Sequence, residues 1–392
     1  MESRSTTMAK AARAGGATPL YHGLPEEIVI WEILVRLSPK SLLRCRAVCQ
    51  AWHRDTSTRE FLVAHHGRQP SLPIVHGFLH ADRNNQIFAF DHCAADDQLQ
   101  PVARLDDTFY LEASCDGLLI LSTYDKRGSC FTVCNPTTHQ HAPLRQVSGF
   151  SLFTVLGMYL HRPTAEYRLL LHRRRRKMWT LSDLLREGQF GCYIYALGSD
   201  QSPRFIGGPE TASACFNAPV LVRDNLHWYH NHSEKTASKR VIVFDTVHES
   251  FGQMSAPIVP SNPYIFETDD TLGMYNHNSV TEIVDIWMLQ NYECEDWEHK
   301  YRVKLPVAKI RELGRREDYL YVSVLSSDGN LYLMLSNGRW LFYVDTNGEL
   351  VDNFHRDGQK LYPSDRRLKQ TLVPHNFFAP QEGYDVNPSP FI

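Results

Sequence analysis

The sequence predicts a mainly β chain with a small α-helical module near its N-terminal end. Residues 24 to 52 carry apolar residues at helical spacing between helix start signals. From about residue 70, short runs of Val, Ile, Leu, Phe and Tyr alternate instead with clusters of Gly, Pro, Asn and Asp. In that second region a turn, strand, strand phrase returns at intervals of tens of residues, which marks stacked or radial repeats. The expected organisation is a disordered tail over 1–20, a helical module over 21–66, a β-propeller-like domain over 70–375 and a C-terminal tail over 376–392.

In the module, Leu24-Pro25 opens a helix and Glu26-Glu27 suit the positive end of its dipole. This helix is expected to run to about Leu37. Ser38 then caps a second helix with Pro39 at its first position, and Leu42, Cys45, Val48, Cys49 and Trp52 make one face over Lys40 to Trp52. The first helix carries two apolar stripes, Ile28, Trp31, Leu34 and Val35 on one side and Ile30, Ile33 and Leu37 on the other. One stripe can pack on the sister helix. A segment of about 40 residues buries too little surface to be stable alone, so the second stripe needs a neighbour in this chain or in another molecule.

The order Leu-Pro-x-Glu-x-Ile, Glu-Ile-Leu-x-Arg-Leu and Ser-Leu-Leu-Arg-Cys-Arg-x-Val-Cys-x-x-Trp resembles the F-box, the helical module that docks on a Skp-family adaptor in cullin-based ubiquitin ligases. The resemblance implies that Leu24, Pro25, Ile28, Ile33, Leu34, Leu37, Leu42, Leu43, Val48, Cys49 and Trp52 build the helical core or face the adaptor. The sequence does not divide the two roles. Ser38 replaces a proline found in many relatives but caps as well, and the polar continuation "HRDTS" is expected to shorten the last helix.

The repeated phrase begins near Ser114 ("SCDGLLILS…FTVCNPTT"), Arg223 ("RDNLHWYH…VIVFDT") and Ser327 ("SDGNLYLML…LFYVDT"), with a looser copy from Asp269. Asp-Gly or Asp-Asn closes a tight turn, "LLILS", "LHWYH" or "LYLML" is read as the inner strand, and "FTVCN", "VIVFD" or "LFYVD" as its antiparallel neighbour. Asn135, Asp245 or Asp345 starts the outward turn. Asp116, Asp224, Asp270 and Asp328 fit a unit of about 45 to 58 residues if "TAEYRLLLHRR" and "QFGCYIYALGSD" form a hidden copy, which gives about six blades. A pair of β-sandwiches is the alternative. "SCDGLL", "CNPTT", "GMYLHRPTAEYRLLLHR", "IVFDT" and "VDIWMLQ" also resemble the associated domain that follows the F-box in many plant proteins, a kelch-like or propeller domain that selects the target.

These resemblances imply a substrate receptor: a Skp-family adaptor held by the module, a cullin and a RING subunit reached through it, and an unknown target on the β domain. A propeller enzyme or carbohydrate-binding protein with a purely structural hairpin is the competing expectation. The net charge of -3 gives no general attraction to nucleic acid or anionic membrane, and no stretch of 18 apolar residues offers a spanning helix. Nine scattered cysteines suit reduced thiols in the cytoplasm or nucleus better than a disulfide framework.

The search for chemistry returns little. The sequence has no G-x-S-x-G elbow, no phosphate-cradling glycine loop and no H-E-x-x-H, and paired acids such as Asp96-Asp97 and Asp106-Asp107 sit in turn-like surroundings. No catalytic residue, cofactor or metal is expected. His227, His230 and His232 read as a strand-end cluster without a third zinc ligand. Arg173 to Lys177 is a solvated loop, an import signal or a patch for an acidic partner. Trp179 to Gly188 is a helix candidate inside the β region. Trp179, Trp228, Trp287, Trp297 and Trp340 are candidates for target contact or for core anchors.

Overall fold

The computed structural model describes residues 24–378 except 80–84, 92–93, 95–97, 106–108, 126–127, 148–152, 174–188, 210–217, 230–239, 258, 260–262, 269, 314–319, 328 and 357. The helix expected at Trp179 to Gly188, His230, His232 and all of the basic run but Arg173 lie outside the described residues. The chain divides into two compact units, Met1–Arg68 and Gln69–Ile392.

The first unit is helical. Pro25 precedes α1 (Glu26–Ile28), a π-helical segment Val29–Ile33 and a 3-10 turn Leu34–Arg36. Ser38 caps α2 (Pro39–Val48) by accepting from the Ser41 N–H, as its place before a proline predicts. The expected second helix to Trp52 is broken: Cys49 is extended (φ -130, ψ 118) and α3 (Gln50–Thr56) starts after it. The "HRDTS" stretch does not stop α3 short of Thr56. A further helix, α4 (Arg59–Arg68), was not apparent in the sequence.

The second unit is a six-bladed propeller. Blade 1 contains β1 (Ser71–Leu79), β2 (Asn85–Phe90) and β3 (Leu99–Leu105). Blade 2 has β4 (Tyr110–Cys115), β5 (Leu118–Asp125), β6 (Gly128–Asn135) and β7 (Gln140–Pro143). Blade 3 follows with β8 (Phe153–His161), β9 (Glu166–Arg173), β10 (Gly191–Ala196) and β11 (Arg204–Gly207). Blade 4 is built from β12 (Val220–Val222), β13 (Asn225–Tyr229), β14 (Arg240–Asp245) and β15 (Ser250–Ser255). Blade 5 comprises β16 (Tyr264–Thr268), β17 (Thr271–Asn278), β18 (Ile283–Asn291) and β19 (Asp296–Lys304), after which α5 (Val307–Leu313) leads onward. Blade 6 is β20 (Tyr321–Ser327), β21 (Asn330–Asn337), β22 (Trp340–Asp345) and β23 (Leu350–His355).

The ring closes through β24 (Gln359–Lys369), which pairs antiparallel with β1 and gives blade 1 the order β24-β1-β2-β3. The propeller, rather than a pair of sandwiches, therefore forms, and the hidden copy is β9 and β10 of blade 3. One part of the repeat reading is corrected. The described parts of "LLILS", "LHWYH" and "LYLML" lie in second strands and their partners in third strands, because the turns at Asp116 and Asp224 follow the innermost strand instead of opening the blade.

Both central residues of Asp116-Gly117 and Arg223-Asp224 have positive φ, the conformation that lets a two-residue turn follow the strand twist. The same acids also join blades: Asp116 accepts from the Tyr167 hydroxyl at 3.2 Å, Asp224 from Arg162 at 2.6 Å and Asp270 from the Arg223 N–H at 3.2 Å. Asn135, Asp245 and Asp345 cap the outward turns by accepting backbone N–H groups two to four residues ahead, as their side chains favour.

Packing follows the blades. Six buried hydrophobic clusters among the described residues each join two neighbouring blades, with Trp228 filling the blade 3–4 junction and Phe342 the blade 5–6 junction. After β24 the chain runs along blades 2 and 3, where Asn135 Nδ2 donates to Thr371 O at 3.1 Å. Phe377 and Phe378, expected in a tail from 376, pack into the blade 2–3 cluster.

This passage explains Gly117. A Cβ there would stand 2.2 Å from Lys369 O and 2.8 Å from Thr371 Cγ2, at φ +88. Gly117→Ala is expected to lower stability by at least about 2 kcal/mol, from a left-handed backbone penalty plus a clash with main chain. Gly207→Ala, at φ +86 with nothing within 4 Å, carries only the first cost. Equal denaturant midpoints for the two variants would refute the clash.

Glu249 ties blade 3 to blade 4. It accepts from Tyr159 Oη (2.9 Å), Arg168 Nη1 (2.5 Å) and Arg204 Nη2, and its side chain is only 9% exposed. Burial alone would raise its pKa, but the hydrogen bonds and charge of Arg168, with Tyr159 and Arg204, hold it below the ordinary carboxylate value of 4.5. Glu249→Ala leaves Arg168 with only the more exposed Glu166, 2.7 Å from its Nη2, and is expected to cost about 1.5–3 kcal/mol. The sign for pH follows from the depressed value. The contribution is complete above pH 4.5 and is lost as pH falls through the lowered folded value, so acid melts should narrow the gap between variant and wild type.

Candidate functional site

The first candidate is the helical unit, whose apolar residues divide sharply by exposure. Val29, Ile30, Leu34, Val35, Leu42, Phe61 and Leu62 are buried. The Trp31 and Phe61 rings meet at 5.6 Å, and His65 Nε2 sits 2.9 Å from Leu37 O. Burial lowers the His65 pKa, so its imidazole stays neutral inside the unit. Arg46 donates from Nε to Thr56 Oγ1 at 2.9 Å, which ties α2 to the end of α3.

Leu24, Ile28, Ile33, Leu43 and Val48 remain exposed, from 42% at Ile28 to 77% at Val48. Pro25 is exposed too, whereas Leu37, Cys49 and Trp52 are half-buried. The two stripes read from the sequence are each split: Ile28 and Ile33 face out while Ile30, Leu34 and Val35 face in. The cause is the π-helical segment, where the Leu34 N–H points to both Ile30 O and Val29 O. A wider turn followed by a tight 3-10 turn changes the angular phase that 3.6-residue spacing assumes. With Val63 on α4, six large apolar side chains left in water on one small unit are more than scattered exposure requires.

The second candidate is the propeller. Tyr110, Tyr264 and Tyr321 begin the innermost strands β4, β16 and β20, and each is exposed. β24 occupies the innermost position of blade 1 and runs in the same sense, so Tyr362 comes to the same end of the central channel. Its ring meets Tyr321 at 5.3 Å and the exposed Phe78 at 5.7 Å. The outcome is an aromatic rim. The Asp turns mark the opposite end, and between the two ends lies a cavity of about 330 Å³ lined by strands of all six blades.

The tryptophans singled out in the sequence do not make this rim. Trp228 is fully buried and donates to Leu156 O at 3.3 Å, Trp287, Trp297 and Trp340 are partly buried, and Trp179 lies outside the described residues. His227 is a core residue: its Nε2 lies 2.8 Å from Tyr292 Oη and burial brings its pKa to about 4. The rim tyrosines escaped notice because each reads as an ordinary strand residue; the usable signal was their place just upstream of the Asp turns.

Fold and site together define a propeller chain with a small helical unit that exposes an apolar set. Residues 93–334 match the F-box associated beta propeller domain family, and residues 22–62 match the F-box-like family. The chain belongs to the F-box associated β-propeller family and is an F-box protein. An F-box protein of Arabidopsis thaliana is 25% identical over 300 residues, 70% of this chain and 77% of the relative. A second from the same plant is 29% identical over 232 residues, 56% of this chain and 59% of the relative. Among solved structures, TolB from Acinetobacter baumannii aligns with 11% identity and a TM-score of 0.40 over 82% of this chain and 71% of that one.

Proposed function

We propose that the protein is the substrate-recognition subunit of a Skp-cullin-F-box ubiquitin ligase, working in the cytoplasm, the nucleus or both. The observation that carries this reading is the exposed set Leu24, Ile28, Ile33, Leu43 and Val48 on the F-box-like unit. Burial of each side chain against an adaptor would contribute about 1.5–3 kcal/mol before association costs. Leu34 and Leu42 then act as core that holds the contact residues in place, and Pro25, Leu37, Cys49 and Trp52 border them.

The target is taken by the propeller, and the aromatic rim at Phe78, Tyr321 and Tyr362 is the surface we assign to it, since exposed aromatic clusters supply large contact area at low entropic cost. The mechanism is positioning. Cullin and RING subunit reached through the adaptor bring a ubiquitin thioester near target lysines, and tethering raises their effective concentration. No residue of this chain takes part in bond making, and neither nucleic acid nor membrane is a partner in this scheme.

The test is reconstitution. The purified protein should capture a purified Skp-family adaptor, and proteins retained on the propeller from proteasome-inhibited plant extract should become ubiquitylated when cullin, RING subunit and conjugating enzyme are added. Absence of adaptor capture would remove the reading.

A further inference from the structure

The central cavity has no task in the ligase scheme, yet its lining is specific. Its volume lies at the lower end of the range that holds small molecules. Met158, Val220, Ile265, Phe266 and Val324 give it apolar walls from blades 3 to 6. The charge comes chiefly from one strand: β24 contributes Asp365, Arg366, Arg367 and Lys369.

The pairing of β24 with β1 shifts register here, between Pro73↔Arg367 and Val75↔Pro363, so Ser364, Asp365 and Arg366 form an irregular stretch of the strand. Arg366 donates through Nε and Nη2 to Glu112 O at 3.0 and 2.6 Å. Arg367 donates to Ser71 Oγ at 3.3 Å and to Ser71 O at 2.5 Å. Both guanidinium groups are thus held by neutral oxygens. Asp365 differs, since it has no hydrogen bond and no ion pair among the described residues, although its side chain is accessible from the cavity.

The groups around Asp365 decide what it would accept. Arg366 and Arg367 flank it on β24, Tyr275 of blade 5 feels its charge, Glu267 of the same blade acts on Arg367, and Asp116 and Lys369 lie toward the end with the Asp turns. His76 on β1 is neutral, because burial brings its pKa to about 4. β20 contributes Ser323, Val324 and Leu325, none of them ionisable, to the lining. Arg366 and Arg367 each use two donors on backbone and hydroxyl oxygens, while Asp365, open to the cavity, accepts from no protein donor among the described residues, so it is the carboxylate left free for a ligand. A metal ion would need several hard ligands, and no three His, Cys, Asp or Glu gather for one among the described residues.

The geometry points to a binding site for a small organic cation: an ammonium or guanidinium group on a short alkyl stem, paired with Asp365 and enclosed by the walls at Met158, Phe266 and Val324. This site is separate from the adaptor face and works whether or not a ligase is assembled. A pH dependence comes with it. Burial raises the Asp365 pKa, with Arg366 pulling the other way. A bound cation favours the ionised form, so affinity should fall as pH is lowered through the raised Asp365 value.

The experiment is calorimetry on the full-length protein with n-butylguanidinium and its neutral counterpart n-butylurea. The cation is expected to bind at least about tenfold more tightly than the urea, and Asp365→Asn to reduce it to the level of the urea. Cation binding should weaken when the titration is repeated at successively lower pH, while urea binding should not. Equal affinities for the two probes, no saturable binding of either, or undiminished cation binding by a folded Asp365→Asn protein would overturn the assignment. If the variant does not melt cooperatively, the cation-to-urea ratio of the wild type and its fall at low pH decide.

Discussion

Aspartate at both Ile33 and Val48 is expected to abolish capture of a Skp-family adaptor while leaving the melting temperature of the free protein unchanged. Both side chains are exposed, so the unbound protein loses little packing when they are replaced. In a complex each aspartate would be buried without a partner, and an unpaired buried charge costs several kcal/mol. Two such penalties correspond to at least about a hundredfold in affinity. Val35→Asp is the contrasting variant: Val35 is 0% exposed, and a charge there should unfold the helical unit itself. Surface plasmon resonance against immobilised adaptor, paired with thermal melts, reads both effects. Wild-type affinity in the Ile33→Asp, Val48→Asp protein would mean that another face binds the adaptor.

The second large effect concerns ring closure. A chain ending at His355 lacks β24, and it should lose the cooperative unfolding transition of the propeller. Leu361 and Leu368, both 0% exposed, contribute about 1.5–3 kcal/mol each through burial. Thr371, Leu372 and Phe378 are buried as well, and β1 would become an unpaired edge. Such losses are comparable with the whole stability of an ordinary domain, about 5–15 kcal/mol. Limited proteolysis and near-ultraviolet circular dichroism report the result. An unchanged cooperative melt in the shortened chain would show that the remaining strands hold the ring without its closing member.

Local chemistry was legible in the sequence and long-range placement was not. Ser38 before Pro39, the turns at Asp116 and Asp224, and the capping residues Asn135, Asp245 and Asp345 all act within a few residues of themselves, so their types announce their roles. The blade repeat was readable for the same reason. Strand order was harder, since an inner and a second strand share one grammar and differ only in which neighbours surround them. β24 hid itself further: "YPSDRRLK" faces the channel, lacks apolar alternation and pairs with a strand almost the whole domain away. In the helical unit eleven residues share the expected register, but a π-helical turn, invisible to periodicity, changes which of those on the first helical segment reach the surface.

The pairing of Ser71–Leu79 with Gln359–Lys369 also governs how the chain is born. β1 leaves the ribosome long before the strand that completes its sheet exists, so the nascent polypeptide must keep an open edge through the synthesis of five intervening blades. Its assembly is correspondingly non-local, and slower than that of a helical bundle of similar length.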